Sequence, residues 1–531
     1  MVKKETDVVR DGRSLVMRAA GLVGAAFMVS RLIGLVREVV TQQLLGTAGI
    51  AANAYAVANR FPEAIFFIVA GGAIGSAFIP TFAAYFANDD EAGGWRLFSA
   101  VINLLTITLI IIAGITAVFT PAFVTFFFRD QIAQEPEILP IAVQLMRVML
   151  LSPIIFGASG VIMGALNARQ HFLLPALAPI LHNVGIILGA LLIDPPVMGL
   201  AIGTVIGALG HLLIQLPGLR LKQARYTVVL TLRDPGIQQV LRLMAPRVLG
   251  LSFSQLNRFI TLFLTGSNIF ALGSLPALDV AFKLTLLPQG VIGQALGIAA
   301  FPTLATMAAK SAYDDMRKII ADSLRIVLFL GLPLTVGFIL LGTPIITILF
   351  ERGLFDAHST EFASFALVFY SIGVVPFIGL EVVNRAFYAL KDTLTPVLAG
   401  GAQILLMGIL SYVLSRDLFM RWQLLPLGGI ALGISLSNII ELLLLLWLLK
   451  RKMGYLHGRA LLDGLWRMGS ASLLMAGSIW GILSLFKTDG LWWQFIVGSI
   501  VGTVVYLLAS VVLGVSEVRQ LWEYGRRRFG I

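Results

Sequence analysis

Between residues 18 and 514 the sequence is a succession of apolar runs, most of them about 20 residues or longer, separated by short polar breaks. About 20 apolar residues is the length of helix that crosses the hydrocarbon core of a bilayer. This feature makes the chain an all-α polytopic membrane protein. Its composition agrees, with 58% of 531 residues hydrophobic and 13% charged. The runs predict about fourteen helices, near 18–44, 51–86, 97–128, 137–166, 173–193, 197–217, 237–267, 274–308, 318–350, 359–389, 394–415, 424–449, 464–486 and 491–514. Residues 1–17 are polar and basic, and Arg31 interrupts a long first run. That reads as a retained first helix; a cleaved signal peptide has a shorter apolar core. With no cysteine, no disulfide or thiolate metal site can be built.

The net charge of +11 sits between the apolar runs and not as a stripe on a soluble face. No nucleic-acid partner is therefore expected. Lys3, Lys4, Arg10 and Arg13 precede the first helix. Arg220, Lys222, Arg225 and Arg233 follow the sixth, Lys310, Arg317 and Lys318 the eighth, and Lys450, Arg451, Lys452 and Arg459 the twelfth. Arg526, Arg527 and Arg528 end the chain. If the helices alternate, all of these share one side, and by the positive-inside rule both termini are cytoplasmic.

The sequence also repeats itself. TPAFVTFFFRD at 120–130 matches TPIITILFERG at 343–353, and IPTFAA at 79–84 matches FPTLAT at 301–306. ALNARQHFLLPALA at 165–178 follows the pattern of AFYALKDTLTPVLA at 386–399, and the three offsets agree at about 222 residues. Each unit holds an even number of helices, so the copies share one orientation, related by an axis along the membrane normal. The expected organisation is an N-lobe at 1–217 and a connector at 218–236. A C-lobe at 237–455 follows, with a final helix pair and basic tail at 456–531. A duplication kept only for packing is the alternative. The connector, GLRLKQARYTVVLTLRDPG, is basic and partly apolar, which suits a segment on the cytoplasmic membrane surface as well as a solvated loop.

Charges stand where lipid should be. Arg31, Arg37 and Glu38 would together cost roughly 8 kcal/mol facing lipid. They must face water, one another or a ligand. Gly24, Arg31, Gly34 and Glu38 fall along one helical stripe, with Arg37 beside it. In the second helix Asn53, Arg60 and Glu63 share a face, Pro62 interrupts the hydrogen-bond ladder, and Gly71 and Gly72 permit bending. Gln255 and Arg258 lie three apart on the seventh helix, and Asp279 and Lys283 four apart on the eighth, before Pro288. If the lobes face each other, these residues line one cationic central cavity. Guanidinium groups bind phosphate oxygens through paired planar hydrogen bonds, so a diphosphate is a natural occupant. The alternative is that Arg37–Glu38 and Asp279–Lys283 are structural pairs and that Arg31 and Arg60 snorkel to an interface.

These stretches resemble the MurJ/MviN lipid II flippases, within the multidrug/oligosaccharidyl-lipid/polysaccharide exporter superfamily. The resemblance is carried by SRLIGLVREVV at 30–40, NAYAVANRFPEAI at 53–65, AFIPTFAAY at 77–85, LPQGVIGQALGIAAFPTLA at 287–305, FERGLF at 350–355 and RAFYALKDTLTPV at 385–397. It implies fourteen helices, two lobes around a hydrated cavity, and a final pair forming a groove for a lipid tail. It implies transport of undecaprenyl-diphosphate-linked peptidoglycan precursor across the bacterial inner membrane. Arg31, Arg37 and Glu38 stand at the family's first-helix cavity charges, and Lys283 stands where the family has an arginine in the eighth helix. Asn53 replaces the family's acidic residue, Phe66 and Phe67 replace basic residues, and Gly71 replaces a glutamate. Some relatives bind sodium through a carboxylate on the seventh helix; none lies between Leu241 and Leu264, so that site is not carried over.

The expected diphosphate-binding set is therefore Arg31, Arg37, Glu38, Arg60, Arg258 and Lys283, with Asn53, Glu63, Gly71, Gly72 and Asp279 as gating or supporting residues. The lobes would rock to expose the diphosphate on alternate sides, while the tail stays against the apolar helices 13 and 14. No cofactor or metal is expected, and one two-lobed chain suffices as a monomer. Membrane lipids and cell-wall synthesis machinery are the other candidate partners. Rivals are a sister exporter of another polyprenyl-diphosphate glycan or polysaccharide, a multidrug exporter, and a lipid-diphosphate enzyme. A cavity dominated by cations argues against cationic drugs. The five scattered histidines, without a carboxylate pair or metal cluster, argue against the enzyme.

Overall fold

The computed structural model describes residues 24, 26, 28–68, 74–485 and 490–518. Among these, the regular elements are helices. Two compact units divide the chain, Met1–Ser267 and Asn268–Ile531. The first contains α1 (28–45), α2 (Ile50–Ala58), α3 (Arg60–Ile68), α4 (Ile74–Ala87), α5 (Glu91–Gln134) and α6 (Ile138–Met149). It continues with α7 (Leu151–Ala168), α8 (Leu173–Leu192), α9 (Pro196–Leu213), α10 (Leu216–Leu221) and α11 (Pro235–Thr265). The second contains α12 (Ser274–Pro288), a π-turn at Gln289–Gly293, α13 (Gln294–Ala309), α14 (Tyr313–Phe350), α15 (Ala357–Ser371) and α16 (Val374–Ala389). It ends with α17 (Leu394–Val413), α18 (Leu427–Met453), α19 (Gly458–Leu485) and α20 (Leu491–Val512). The contact boundary thus falls after α11, one helix beyond the start of the second sequence repeat.

Ten helical stretches among the described residues are long and apolar enough to cross a membrane, and α15 with α16, bent by 47°, makes an eleventh. The other expected spans are α1, the α2–α4 series and α11. They are the segments that carry the charges and breaks. Pro62 shows why one of them breaks: it has no N–H for the carbonyl four residues back, and that residue, Ala58, is the last of α2. The expected Gly71 and Gly72 lie outside the described residues.

The repeat extends to backbone conformation. Asp89 and Ser311 both adopt positive φ (57° and 55°), as do Gln170 and Lys391 (57° and 59°). The turn bonds recur with them: Asp90 N donates to Tyr85 O as Ala312 N does to Met307 O, and His171 N to Leu166 O as Asp392 N does to Phe387 O. Side chains rarely adopt such a conformation without need, so the shared strain marks equivalent helix ends.

Glycines set the closest packing. A Cβ on Gly185 would stand 2.4 Å from Gly207 Cα, and one on Gly189 2.4 Å from Gly199 O. Without side chains α8 and α9 meet backbone to backbone, which is how helices gain contact where no hydrophobic effect drives them together. In the second unit, α19 and α20 pack on α14 through Phe329, Leu341, Met475, Ile479 and Tyr506. The Tyr506 hydroxyl donates to Phe329 O at 2.7 Å. Arg325 on α14 grips the chain beyond α20: its Nη2 donates to Glu517 Oε2 and Ser516 Oγ, each at 3.0 Å, and its Nη1 to Ala460 O at 2.9 Å.

Candidate substrate-binding site

In the first unit the charges of α1, α3 and α11 converge. Glu38 is buried (7% exposed) and accepts from Gln42 Nε2 at 3.0 Å, while Arg37 Nη2 stands 3.9 Å from its carboxylate. This is the Arg37–Glu38 pairing raised as the structural alternative, and it leaves the Arg37 side chain 30% exposed. Arg31, two turns earlier, is exposed. Small Gly34 between them lets α8 come close, with Asn183 Nδ2 3.8 Å from where its Cβ would be.

Asn53 is almost wholly buried, and its Nδ2 donates to Thr47 O at 3.1 Å and Gly49 O at 3.0 Å. It therefore bolts the α1–α2 turn, a supporting role. Arg60 opens α3 at 6% exposure. Glu63, one turn on, forms an ion pair with Arg258 of α11 and accepts from Asn59 Nδ2 at 3.4 Å. Around that pair Phe61 stacks on Phe123 (4.8 Å between centroids) and tilts against Phe259 (4.9 Å). An aromatic wall on one side and a half-exposed guanidinium on the other suit an amphipathic ligand. Phe66 has another task, packing at 4.4 Å on Phe156 in the fold's interior.

Sequence reading missed three neighbours. Tyr55 lies within electrostatic reach of Arg37, Glu38 and Glu63 and hydrogen-bonds Thr204. His182 and His211, far apart in sequence, meet around the Phe156 ring, edge-on at 4.9 and 5.2 Å. His211 Nδ1 lies 2.7 Å from Ser159 Oγ, which accepts from Gln215 Nε2 at 2.8 Å. The four-residue spacing of His211 and Gln215 within the apolar run at 197–217 was the available signal, although the structure ends α9 at Leu213 and places Gln215 in the turn that follows.

In the second unit Asp279 is half-buried and Lys283 exposed on α12. They lie ahead of Pro288 and the π-turn. Helix α16 buttresses that turn through residues the sequence did not single out. Glu381 accepts from Gln289 Nε2 at 3.4 Å and lies 3.6 Å from Arg385. A Cβ on Gly297 would stand 2.2 Å from Arg385 Nε. π-turns of this kind recur at functional sites.

The family model described as "Lipid II flippase MurJ" matches residues 42–505. The chain belongs to the MurJ family. A probable lipid II flippase MurJ of Vibrio cholerae is 29% identical over 440 residues, covering 81% of this chain and 82% of the relative. The lipid II flippase MurJ of Burkholderia cenocepacia is 27% identical over 468 residues, covering 87% and 89%. Among solved structures, a lipid II flippase MurJ in an inward closed conformation superposes with a TM-score of 0.76 at 24% identity, covering 92% of this chain and 98% of that one. An inward-facing multidrug MATE transporter of the MOP superfamily gives 0.67 at 17% identity, covering 82% and 98%. Those likenesses show a MurJ/MATE-like helical fold. The family expected from 30–40, 53–65 and the later motifs is the family found, and the protein is a multi-pass membrane protein of a transporter family.

Proposed function

We propose that this chain is a flippase for lipid II, moving the undecaprenyl-diphosphate-linked peptidoglycan precursor from the inner to the outer leaflet by alternating access. The family match over residues 42–505 carries this reading. It takes in the helices on which Glu63 and Arg258 pair, and helices carrying such charges are too polar to rest passively in lipid. Arg31, Arg37, Arg60, Arg258 and Lys283 hold the diphosphate, Arg residues as planar forks and Lys283 as a point charge. Glu38 and Glu63 orient Arg37 and Arg258 until the substrate's phosphates compete for them. Asp279 is assigned the same part beside Lys283, and Asn53 keeps the α1–α2 turn in place.

Both termini lie in the cytoplasm, as the basic loops imply. The functional lobes are 1–217 and 237–455, joined by 218–236, and the pair within 456–531 holds the lipid tail outside the polar site. The working unit is a monomer, with no catalytic step and no cofactor. Complementation tests this in bacteria depleted of their own lipid II flippase. Wild type should restore growth, while Arg37→Ala and Lys283→Ala, expressed at equal levels, should not. Equal rescue by all three would remove the role given to those cations. Failure of well-expressed wild type would favour an exporter of a different polyprenyl-diphosphate glycan.

A further inference from the structure

The connector does more than span a gap. After α10, residues 224–231 form no helix, and 225–229 run along α5, held by two polar side chains one turn apart on that helix. Ser99 Oγ accepts from Thr227 N at 3.1 Å, and Asn103 Nδ2 donates to Val229 O at 3.0 Å. Asn103 Oδ1 also accepts from the Tyr226 hydroxyl at 2.7 Å. Ser99 and Asn103 thus take the place of a neighbouring strand. An extended chain alternates its side chains between two faces. Val229 turns inward onto the core of the first unit. Val228, Leu230 and Leu232 turn outward, between 58% and 89% exposed, while Tyr226, also exposed, reaches its hydroxyl back to α5. Arg220, Lys222, Arg225 and Arg233 flank this row, and the nearby carboxylate, Asp234, is occupied in capping α11 through the Gly236 amide at 2.9 Å.

We propose that residues 220–233 form a binding site for anionic phospholipid headgroups, with Val228, Leu230 and Leu232 seated at the acyl boundary of the leaflet. Charge complementarity selects this occupant: within 220–233 four cations stand with no carboxylate among them. Asp90, which reaches Tyr85 together with Asp234, caps α5 through the Gly93 amide at 2.8 Å. The cations match a negatively charged leaflet, and the apolar row between them matches its interior. The inference rests on the cytoplasmic placement of this loop in the proposed topology. It differs from the diphosphate site, which lies on other helices. Each flanking cation contributes about fivefold to the preference for an anionic surface.

The absence of cysteine makes the test direct, because Val228→Cys carries a single environment-sensitive fluorophore. The full-length labelled protein is reconstituted in phosphatidylcholine vesicles and in vesicles of equal parts phosphatidylcholine and phosphatidylglycerol. The expected result, in the mixed vesicles, is blue-shifted emission quenched by a lipid-borne nitroxide and not by iodide. Arg225→Gln with Arg233→Gln in the same background should lower the immersed-to-aqueous ratio about thirtyfold. Water-like emission in both vesicle types would overturn the site, and equal immersion in both would overturn its anionic preference. An impermeant maleimide applied from each side reports sidedness separately. Because the vesicles are symmetric, an error in orientation would show there without altering the immersion result.

Discussion

Removing the carboxylate of Glu517 while keeping its shape, by Glu517→Gln, isolates what docks the C-terminal pair. Arg325 and Glu517 expose only 14% and 7% of their side chains, so the pair is largely shielded from screening. Deleting one member of a buried pair leaves the other charge desolvated, at about 3–5 kcal/mol. Here the lower end applies, about 3 kcal/mol, because Arg325 keeps Ser516 Oγ and the Ala460 carbonyl. That corresponds to on the order of a hundredfold change in the local opening equilibrium. Hydrogen exchange should report it as a matching loss of protection in the amides of residues 515–518, with α8 and α9 unaffected. Arg325→Met combined with Glu517→Met removes both charges and should recover most of that protection. Unchanged protection in Glu517→Gln, or a double variant worse than the single, would refute the clamp.

Acidification should act on Glu517 in the same sense. Burial, the largest influence, raises its pKa, but the Arg325 hydrogen bond and charge, a backbone hydrogen bond and Ser516 together hold it below the ordinary 4.5. Its contribution is therefore complete above that value and lost as pH falls through the lowered one. Asp392 behaves alike: burial opposes ionisation, yet hydrogen bonds from Lys452 and Thr395 hold its carboxyl at about 2. The start of α17 should keep its exchange protection down to about pH 4 and lose it towards pH 2, and Asp392→Asn should flatten that profile. Gly185→Val forces α8 from α9, costing about 1–3 kcal/mol of overpacking, visible as lowered resistance to denaturing detergent. An open contact there would instead tolerate valine. Glu63→Gln should leave the fold intact, since an ion pair more than a third exposed contributes at most about 1 kcal/mol. Its effect should appear in transport, with weakened rescue of a flippase-depleted host at normal expression.

Much of this architecture was legible in the apolar runs because lipid imposes a length on every span. Offsets of about 222 residues anticipated backbone strain shared by Gln170 and Lys391, since a helix end that needs a left-handed residue needs it in both copies. What stayed hidden was three-dimensional. Nothing in a linear text brings His182 to His211 or Glu381 to Gln289. Asn53 read as a gating or supporting residue because it shares a helix face with Arg60 and Glu63, and which of the two it serves was not legible. Its amide bonds two carbonyls of the preceding turn, a local event that helical periodicity does not register. The charged spans α1 and α11 stood out for a physical reason: a charge facing lipid is costly, so it needs a partner, water or a ligand.

Lipid II transport by this chain can be measured in vesicles containing purified protein and fluorescent lipid II, by following label that becomes accessible to an impermeant reductant. Rapid exposure of inner-leaflet lipid II is expected with wild type, and near-background rates with Arg37→Ala and Lys283→Ala. Background rates with well-folded wild-type protein under an imposed membrane potential, or full rates with both variants, would contradict the proposed transport.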